Sequence, residues 1–539
     1  MKADKLYLGN IITLDPRNPV LKAMTVKDGL VQYIGTEKIA RQLCDEHTEV
    51  IDFGDNCIYP GFMEAHCHGV IAGPRLAFFA QLASGESIAD YQQILKDFMA
   101  EHPDNACIYG AGWRETNEEP NKAHLDAICP DKPMALHSID GHSVWLNTLG
   151  LEKFGIDKAA AEKWGPNIVR VGADGEPTGY ISEGPVNEIA GKMSNLSREE
   201  NKQAMLVWQE FALSLGFTAY YEAGAIPWSL DLYRELIDEG KWKLRVYAGY
   251  YIDEHAEDYV AEVRKAKELA DKYNCEYLKV IGVKIFMDGV VEAHTAWTLE
   301  DYADRPGYTG IKRFCDPERV TALYMEAAKL GLSVHQHTIG DGAVHFALDC
   351  IEKAQVATGN MDMRNCLAHL QMVSPEDVER LASLNAIALV APLWMYRDEI
   401  GVYEQTIRYI GDKRTFYCYP MKSFYDHSGI IAFHSDYPVS TQVNVPQSVY
   451  MACKRADPNG GAYHQWNPSE CIDRFDAVRA MTMGPAYSFK EEDRLGQLMI
   501  GYVANMSVFD KDFLRDDIET ICDAKCIATI VDGEIVYKA

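Results

Sequence analysis

The chain has 539 residues, 47 % hydrophobic, 24 % charged and 11 % aromatic, a composition that excludes wholesale disorder and fibrous repeats. Its 52 basic and 80 acidic residues leave a formal charge of −28, a field that repels nucleic acid and anionic membranes, so neither is expected as a partner. No run of about 18 apolar residues is present, so no transmembrane helix is expected, and the opening MKADKLYLGNIITLDP lacks the unbroken apolar stretch of a secretory signal. The 14 cysteines are scattered with no CxxC pair, which reads as reduced, mostly buried thiols in a cytoplasmic protein.

In chain order, residues 1–57 hold short β-type runs, LYLGNIITL and AMTVKDGLVQYIGT, with a turn at Asp28-Gly29. Residues 491–539 repeat the style in ANMSVFD and CIATIVDGEIVYKA around Asp532-Gly533. Asp-Gly between alternating apolar residues is a strong hairpin signal. The two ends are therefore expected to form one small β-sandwich, with two independent β-decorations as the alternative. Between them, residues 58–490 alternate apolar β-runs with amphipathic helices. The runs are CIYPGFMEAH, KPMALHSI, GFTAYYEA, KLRVYAGYYI, LKVIGVKIFMDG, LSVHQH, NCLAHL, AIALVAP and IIAFHSD. Helix starts are readable at Asp316-Pro317-Glu318, with Gly331 past the end, and at Ser374-Pro375-Glu376-Asp377. About eight β–α units predict an α/β fold built on a parallel (β/α)8 barrel of the TIM type. Residues from about 70 to 200 are less regular and read as an insertion after the first barrel strand, covering the mouth.

Several of these runs end in metal-ligand residue types. His66 and His68 lie two apart on the first run, so both imidazoles project to one face. Lys284 follows an apolar run, where a lone ammonium is costly. His335 and His337, His369, and then His434 and Asp436 end later runs. All strand C-termini of a parallel barrel share one face, the face that carries active sites in this architecture. Each element alone has a plainer reading. H-x-H can be a hydrogen-bonded histidine pair, Lys284 can pair with Asp288, and Ser435-Asp436 can cap a loop. Their order along successive β-runs points instead to a metal site, with zinc as the ion that imidazole-rich ligation suits.

The same residues resemble the amidohydrolase superfamily of metal-dependent barrel hydrolases, and more narrowly the long YtcJ-like subgroup that includes N-substituted formamide deformylase. The resemblance runs over nearly the whole chain. Its motifs are Tyr59-Pro60-Gly61-Phe62 before His66-Cys67-His68, LHSIDGHSVWLN around His142, and Gly282-Val283-Lys284 with Asp288-Gly289 and Thr295-Ala296. They continue with HTIGDGAV from His337, Ser435-Asp436-Tyr437-Pro438-Val439, and the closing GQLMIGYVANMSVFD. The resemblance implies one or two divalent ions. His66 and His68 would hold the first, His337 and His369 the second, and Lys284 would bridge them as N6-carboxylysine. Asp436 would bind the first ion weakly and act as general base and acid, the role a positioned carboxylate can fill. His142 is expected at the barrel mouth facing the substrate, with turn-capping as its alternative. His335 is expected as a supporting or substrate group, and His294 near the substrate.

The chain also departs from the subgroup. VVEAHTA brings Glu292 and His294 where a small-residue stretch ending in arginine is usual. Ala368-His369-Leu370-Gln371 replaces Glu-His-Ala-Gln, Glu222 replaces an aspartate, and Asn505 stands where the closing motif has aspartate. Formamide deformylation is therefore not carried over. The expected activity is hydrolysis of a non-peptide C–N amide-type bond in a small molecule. The alternatives are a deaminase, cyclic-amide or ester hydrolase on the same scaffold, and a non-catalytic binding protein. The expected partners are a small-molecule substrate and at most a second copy of the chain, as a homodimer.

Overall fold

A computed structural model of the chain describes all residues except 16, 115–117, 139–142, 167, 183, 194–195, 398–401, 441, 459 and 461–464. Eight parallel strands form one sheet: β1 (Phe62–Cys67), β2 (Phe217–Ala225), β3 (Arg245–Tyr251), β4 (Leu278–Phe286), β5 (Ser333–Thr338), β6 (Cys366–His369), β7 (Ile387–Val390) and β8 (Ile430–Phe433). They neighbour one another in sequence order, as right-handed β–α–β connections require. β1 and β8 are its two edges, and beyond the end of β8 the chain returns to β1. Asp436 N–H donates to His66 O at 3.1 Å and His68 N–H to Tyr437 O at 2.8 Å. The lumen is filled by small and branched residues of β1, β6, β7 and β8, among them Ala65, Ala368, Leu389 and Ala432.

The helices start where the capping residues predict. Asp316 accepts from the Glu318 and Arg319 N–H groups at the head of Pro317–Lys329, and Gly331 follows it at φ +72°. Ser374 accepts from Asp377 N–H at the head of Pro375–Ser383.

Both ends of the chain join a single seven-stranded sheet, in the order 534–538, 526–531, 506–509, 49–60, 5–12, 20–27 and 30–35. Two independent decorations are thereby excluded. Asp28-Gly29 and Asp532-Gly533 both turn at positive φ, 53° and 76°, 53° and 74°, the backbone that a two-residue hairpin turn with the sheet's own twist demands. Side chains from both ends, including Tyr7, Ile58, Met506 and Ile530, share one core.

The chain divides into two compact units, Met1–His68 with Gln209–Ala539, and Gly69–Trp208. The second is more regular than its sequence suggests. It has its own six-stranded sheet, with 79–81, 108–113 and 134–138 parallel and 143–146, 177–182 and 169–171 antiparallel. The run KPMALHSI, expected among the barrel strands, supplies Met134–Ser138, one of the two central strands of this sheet. Its apolar composition reflects burial on both faces, which an inner strand of either sheet has. Among the described residues no helix is long and apolar enough to cross a membrane. The 14 cysteines form no disulfide, and Cys315 alone is exposed.

Candidate metal centre

The histidines at the end of β1 owe their direction to a bulge. β1 and β2 pair Tyr220 with Glu64 and Glu222 with Cys67, so three steps on β1 oppose two on β2. The extra residue re-aims the strand end, and the His66 ring lies 4.7 Å from that of His335 and 5.0 Å from that of His369. His66 Nε2 lies 3.1 Å from Asp436 Oδ1, and His68 Nε2 lies 3.2 Å from the same oxygen. Asp436 stands at φ +60° and His369 at φ +81°, left-handed backbone that costs a non-glycine residue about 1–3 kcal/mol and gathers at functional sites. Ligand atoms of His66, His369 and Asp436 all lie within 4.8 Å of one another, and all three residues are buried.

A second set adjoins the first. The His337 ring lies 4.5 Å from His369, and its Nδ1 is held by Asp288 Oδ1 at 3.0 Å, leaving Nε2 for a ligand. Asp288 also accepts from Ile339 and Trp297 N–H at 3.1 and 3.0 Å and from Gly340 N–H at 2.8 Å. That load excludes the Lys284–Asp288 pair considered from sequence. Lys284 Nζ is fully buried with no hydrogen-bond partner and lies 4.7 Å from the Phe286 ring centroid. Trp394 stacks on His369 at 5.4 Å. The His434 ring sits 5.2 Å from His66 and 5.0 Å from His369, with both nitrogens unpartnered.

Burial governs the charges here. It pushes Lys284 down to about 7 and His434 down to about 4, and holds His66, His335 and His369 well below the ordinary imidazole value. The imidazoles are therefore neutral near pH 7, the form that ligates a metal. Burial would raise Asp436, but the close approach of His68 Nε2 and the other imidazoles around it outweigh burial and hold the carboxyl well below its usual range. Glu64, with burial foremost, is pushed up to about 8.

The predicted residues do not all converge. His66, His68, Lys284, His337, His369 and Asp436 lie at or just beyond strand ends of one barrel. His335 stacks on Tyr221 at 4.2 Å and 11°, and its Nε2 approaches His66 Nδ1 at 2.6 Å, so it orients the His66 ring. A Cβ at Gly249 would collide with the Tyr221 hydroxyl, so glycine there leaves room for this stack. His294 stands at φ +57° with Nε2 at 3.0 and 3.1 Å from the Asp304 carboxylate, against the Tyr409 ring; it is anchored in the loop after β4. His142 lies outside the described residues. The sequence places His434 among the polar residues ending the run IIAFHSD but assigns it no role, and it does not announce Glu64, Trp394 or the anchoring role of Asp288.

Asp288→Asn is expected to weaken zinc binding by ~10–100-fold, the typical effect of losing a ligand's anchor. The amide must also present N–H to a neighbouring donor, at about 2–4 kcal/mol of stability. Zinc titration and thermal unfolding read both, and wild-type affinity would show that His337 needs no anchor.

The residues fit a divalent cation. Lys284 Nζ, His369 Nδ1, both His434 nitrogens and Asp436 Oδ1 are buried without a hydrogen-bond partner, although buried polar atoms normally have one. The Asp436 oxygen sits close to two imidazole nitrogens yet in line with neither N–H, the arrangement of ligands facing a common ion rather than one another. Among known proteins, the chain is 26 % identical over 98 % of its length, and 90 % of the other's, to Protein LONG AFTER FAR-RED 3 of Arabidopsis thaliana. It is 23 % identical to the N-substituted formamide deformylase of Arthrobacter pascens, over 98 % of this chain and 97 % of that one. Among solved structures, an uncharacterized metal-dependent hydrolase from Pyrococcus horikoshii OT3 superposes with a TM-score of 0.74 at 25 % identity, covering 96 % of this chain and 99 % of that one. The amidohydrolase family profile matches residues 49–537, nearly the whole chain, and the chain therefore belongs to the amidohydrolase family.

Proposed function

We propose that the protein is a metal-dependent hydrolase that cleaves a non-peptide C–N amide-type bond of a small molecule. The observation that carries the reading is the buried convergence of His66, His369 and Asp436, whose ligand atoms lie within 4.8 Å of one another. His66, His68 and Asp436 would hold one ion, and His337 and His369 a second. Lys284, carboxylated on Nζ, would reach both. Zinc suits so imidazole-rich a set. Such an ion supplies Lewis acidity and lowers the pKa of water toward neutrality. The chain's own contributions follow from geometry. His335 and Asp288 fix the rings of His66 and His337. Asp436, held ionised, takes the proton of the attacking water and returns it to the departing nitrogen, which makes the amine a competent leaving group. Cysteines outside any disulfide support a cytoplasmic setting.

Protein purified without chelators should carry one or two divalent ions per chain by elemental analysis, and their removal should abolish turnover. Full activity with no metal would overturn the reading. The bond class is tested on zinc-reconstituted protein with N-acyl, N-formyl, cyclic amide and ester substrates. Turnover of amides with silence on esters is expected; the reverse would transfer the reading to ester hydrolysis.

A further inference from the structure

The barrel sheet has a seam, and the candidate site straddles it. β1 and β8 are its edges; β1 carries His66 and leads into His68, whereas Asp436 follows β8. The 3.1 and 3.2 Å approaches of Asp436 to these two histidines thus depend on how the two edges are held together, not on the ladder that sets the other strands. Among the described residues, three hydrogen bonds cross the seam here. Two are backbone to backbone, Asp436 N–H to His66 O and His68 N–H to Tyr437 O. The third is made by a side chain: Ser435 N–H donates to Glu64 Oε1 at 2.8 Å, across 371 residues of sequence. The same oxygen lies 3.4 Å from His66 N. Glu64 is 3 % exposed, so its carboxyl has no solvent to turn to. One oxygen atom therefore ties the residue next to Asp436 to the backbone of His66.

We propose that Glu64 is a positioning residue that sets the distance between Asp436 and the His66–His68 pair, and thereby the geometry of the first cation site. This deepens the metal-dependent reading and rests on it. A hydrogen-bond acceptor of this length is what the seam requires. Alanine would leave a buried N–H orphaned, and methionine would fill the volume without accepting strongly.

The test is a cobalt(II) titration of metal-free wild type, Glu64→Gln, Glu64→Ala and Glu64→Met, read by visible absorption, with circular dichroism for folding. Glu64→Met preserves the side-chain volume should Glu64→Ala fail to fold. Expected are a ~10–100-fold weaker cobalt affinity and an altered absorption band for Glu64→Met, as for loss of a group that orients ligands. Glu64→Gln, whose amide oxygen can accept from Ser435 N–H, should restore both to within ~3-fold of wild type. A merely structural role would lower thermal stability and leave the cobalt band unmoved. Wild type that binds cobalt beside a folded Glu64→Met with the same band and affinity overturns the proposal alone. Glu64→Gln as impaired as Glu64→Met also overturns it. Wild type that binds no cobalt overturns the functional reading beneath it.

Discussion

Asp436→Asn is expected to lower turnover by ~10²-fold or more while keeping fold and most of the bound metal, the typical contribution of a positioned acid–base group. The substitution preserves size and an oxygen that can still face His66 and His68, 3.1 and 3.2 Å away in the parent. What it removes is basicity. The carboxylate is buried yet held well below its usual range by the close approach of His68 and the neighbouring imidazoles, so it is ionised throughout the neutral range and ready to accept a proton. The loop-cap alternative predicts little change, because asparagine caps as well as aspartate. Backbone also argues against a mere cap. Asp436 occupies a left-handed conformation at φ +60°, which asparagine tolerates as well as aspartate, so the variant isolates chemistry from strain. Steady-state kinetics beside elemental analysis decide the matter. Near-normal turnover with full metal content would show that the proton is handled elsewhere, with His434, whose two nitrogens are unpartnered, the next candidate.

The sequence exposes this site unevenly, for physical reasons. His66, His68, Lys284, His337, His369 and Asp436 are legible because each interrupts or ends an apolar run, where a polar residue needs a reason, and because parallel strands deliver all their ends to one face. The number of strands is less legible. KPMALHSI carries the apolar signature of a barrel strand but lies inside another sheet, and a run buried on both faces looks alike in either. Both hairpins are legible from Asp28-Gly29 and Asp532-Gly533 because their chemistry is local. That they share one sheet depends on pairing of residues 506–509 with 57–60, a contact no local signal announces. The supporting residues are hidden for the same reason. Glu64 meets Ser435 across 371 residues and His335 meets His66 across 269, and no periodicity spans such separations. Asp288 is near Lys284 in sequence, which invites an ion pair. Its real load is the loop and His337, because three backbone N–H groups and an imidazole converge on it first.

Lys284→Met is expected to move stability and activity in opposite directions. In the metal-free chain Lys284 Nζ is wholly buried with no hydrogen-bond partner, and burial pushes it down to about 7. Below that pH the folded protein holds an unpaired ammonium in the lumen. Between about 7 and the ordinary lysine value, folding must instead release a proton that the unfolded chain would keep. Either way the lysine destabilises the fold, on the order of 5 kcal/mol below pH 7 and progressively less as pH rises toward the unfolded value. Methionine has a similar length and no such cost, so the metal-free variant should melt higher, with the gain largest in mild acid and fading in alkali. The neutral amine is also the form that can take up carbon dioxide, and a carboxylated Lys284 would give the second ion a bridging ligand. Methionine cannot, so bound metal should fall from two ions to one and turnover by ~10²-fold, the scale of losing a positioned functional group. Calorimetry of metal-free protein at several pH values and elemental analysis of reconstituted protein read the two arms separately. A variant that melts lower in acid would show that Lys284 has a partner when folded. One that keeps two ions and full turnover would show that the site is assembled from its imidazoles and Asp436 alone.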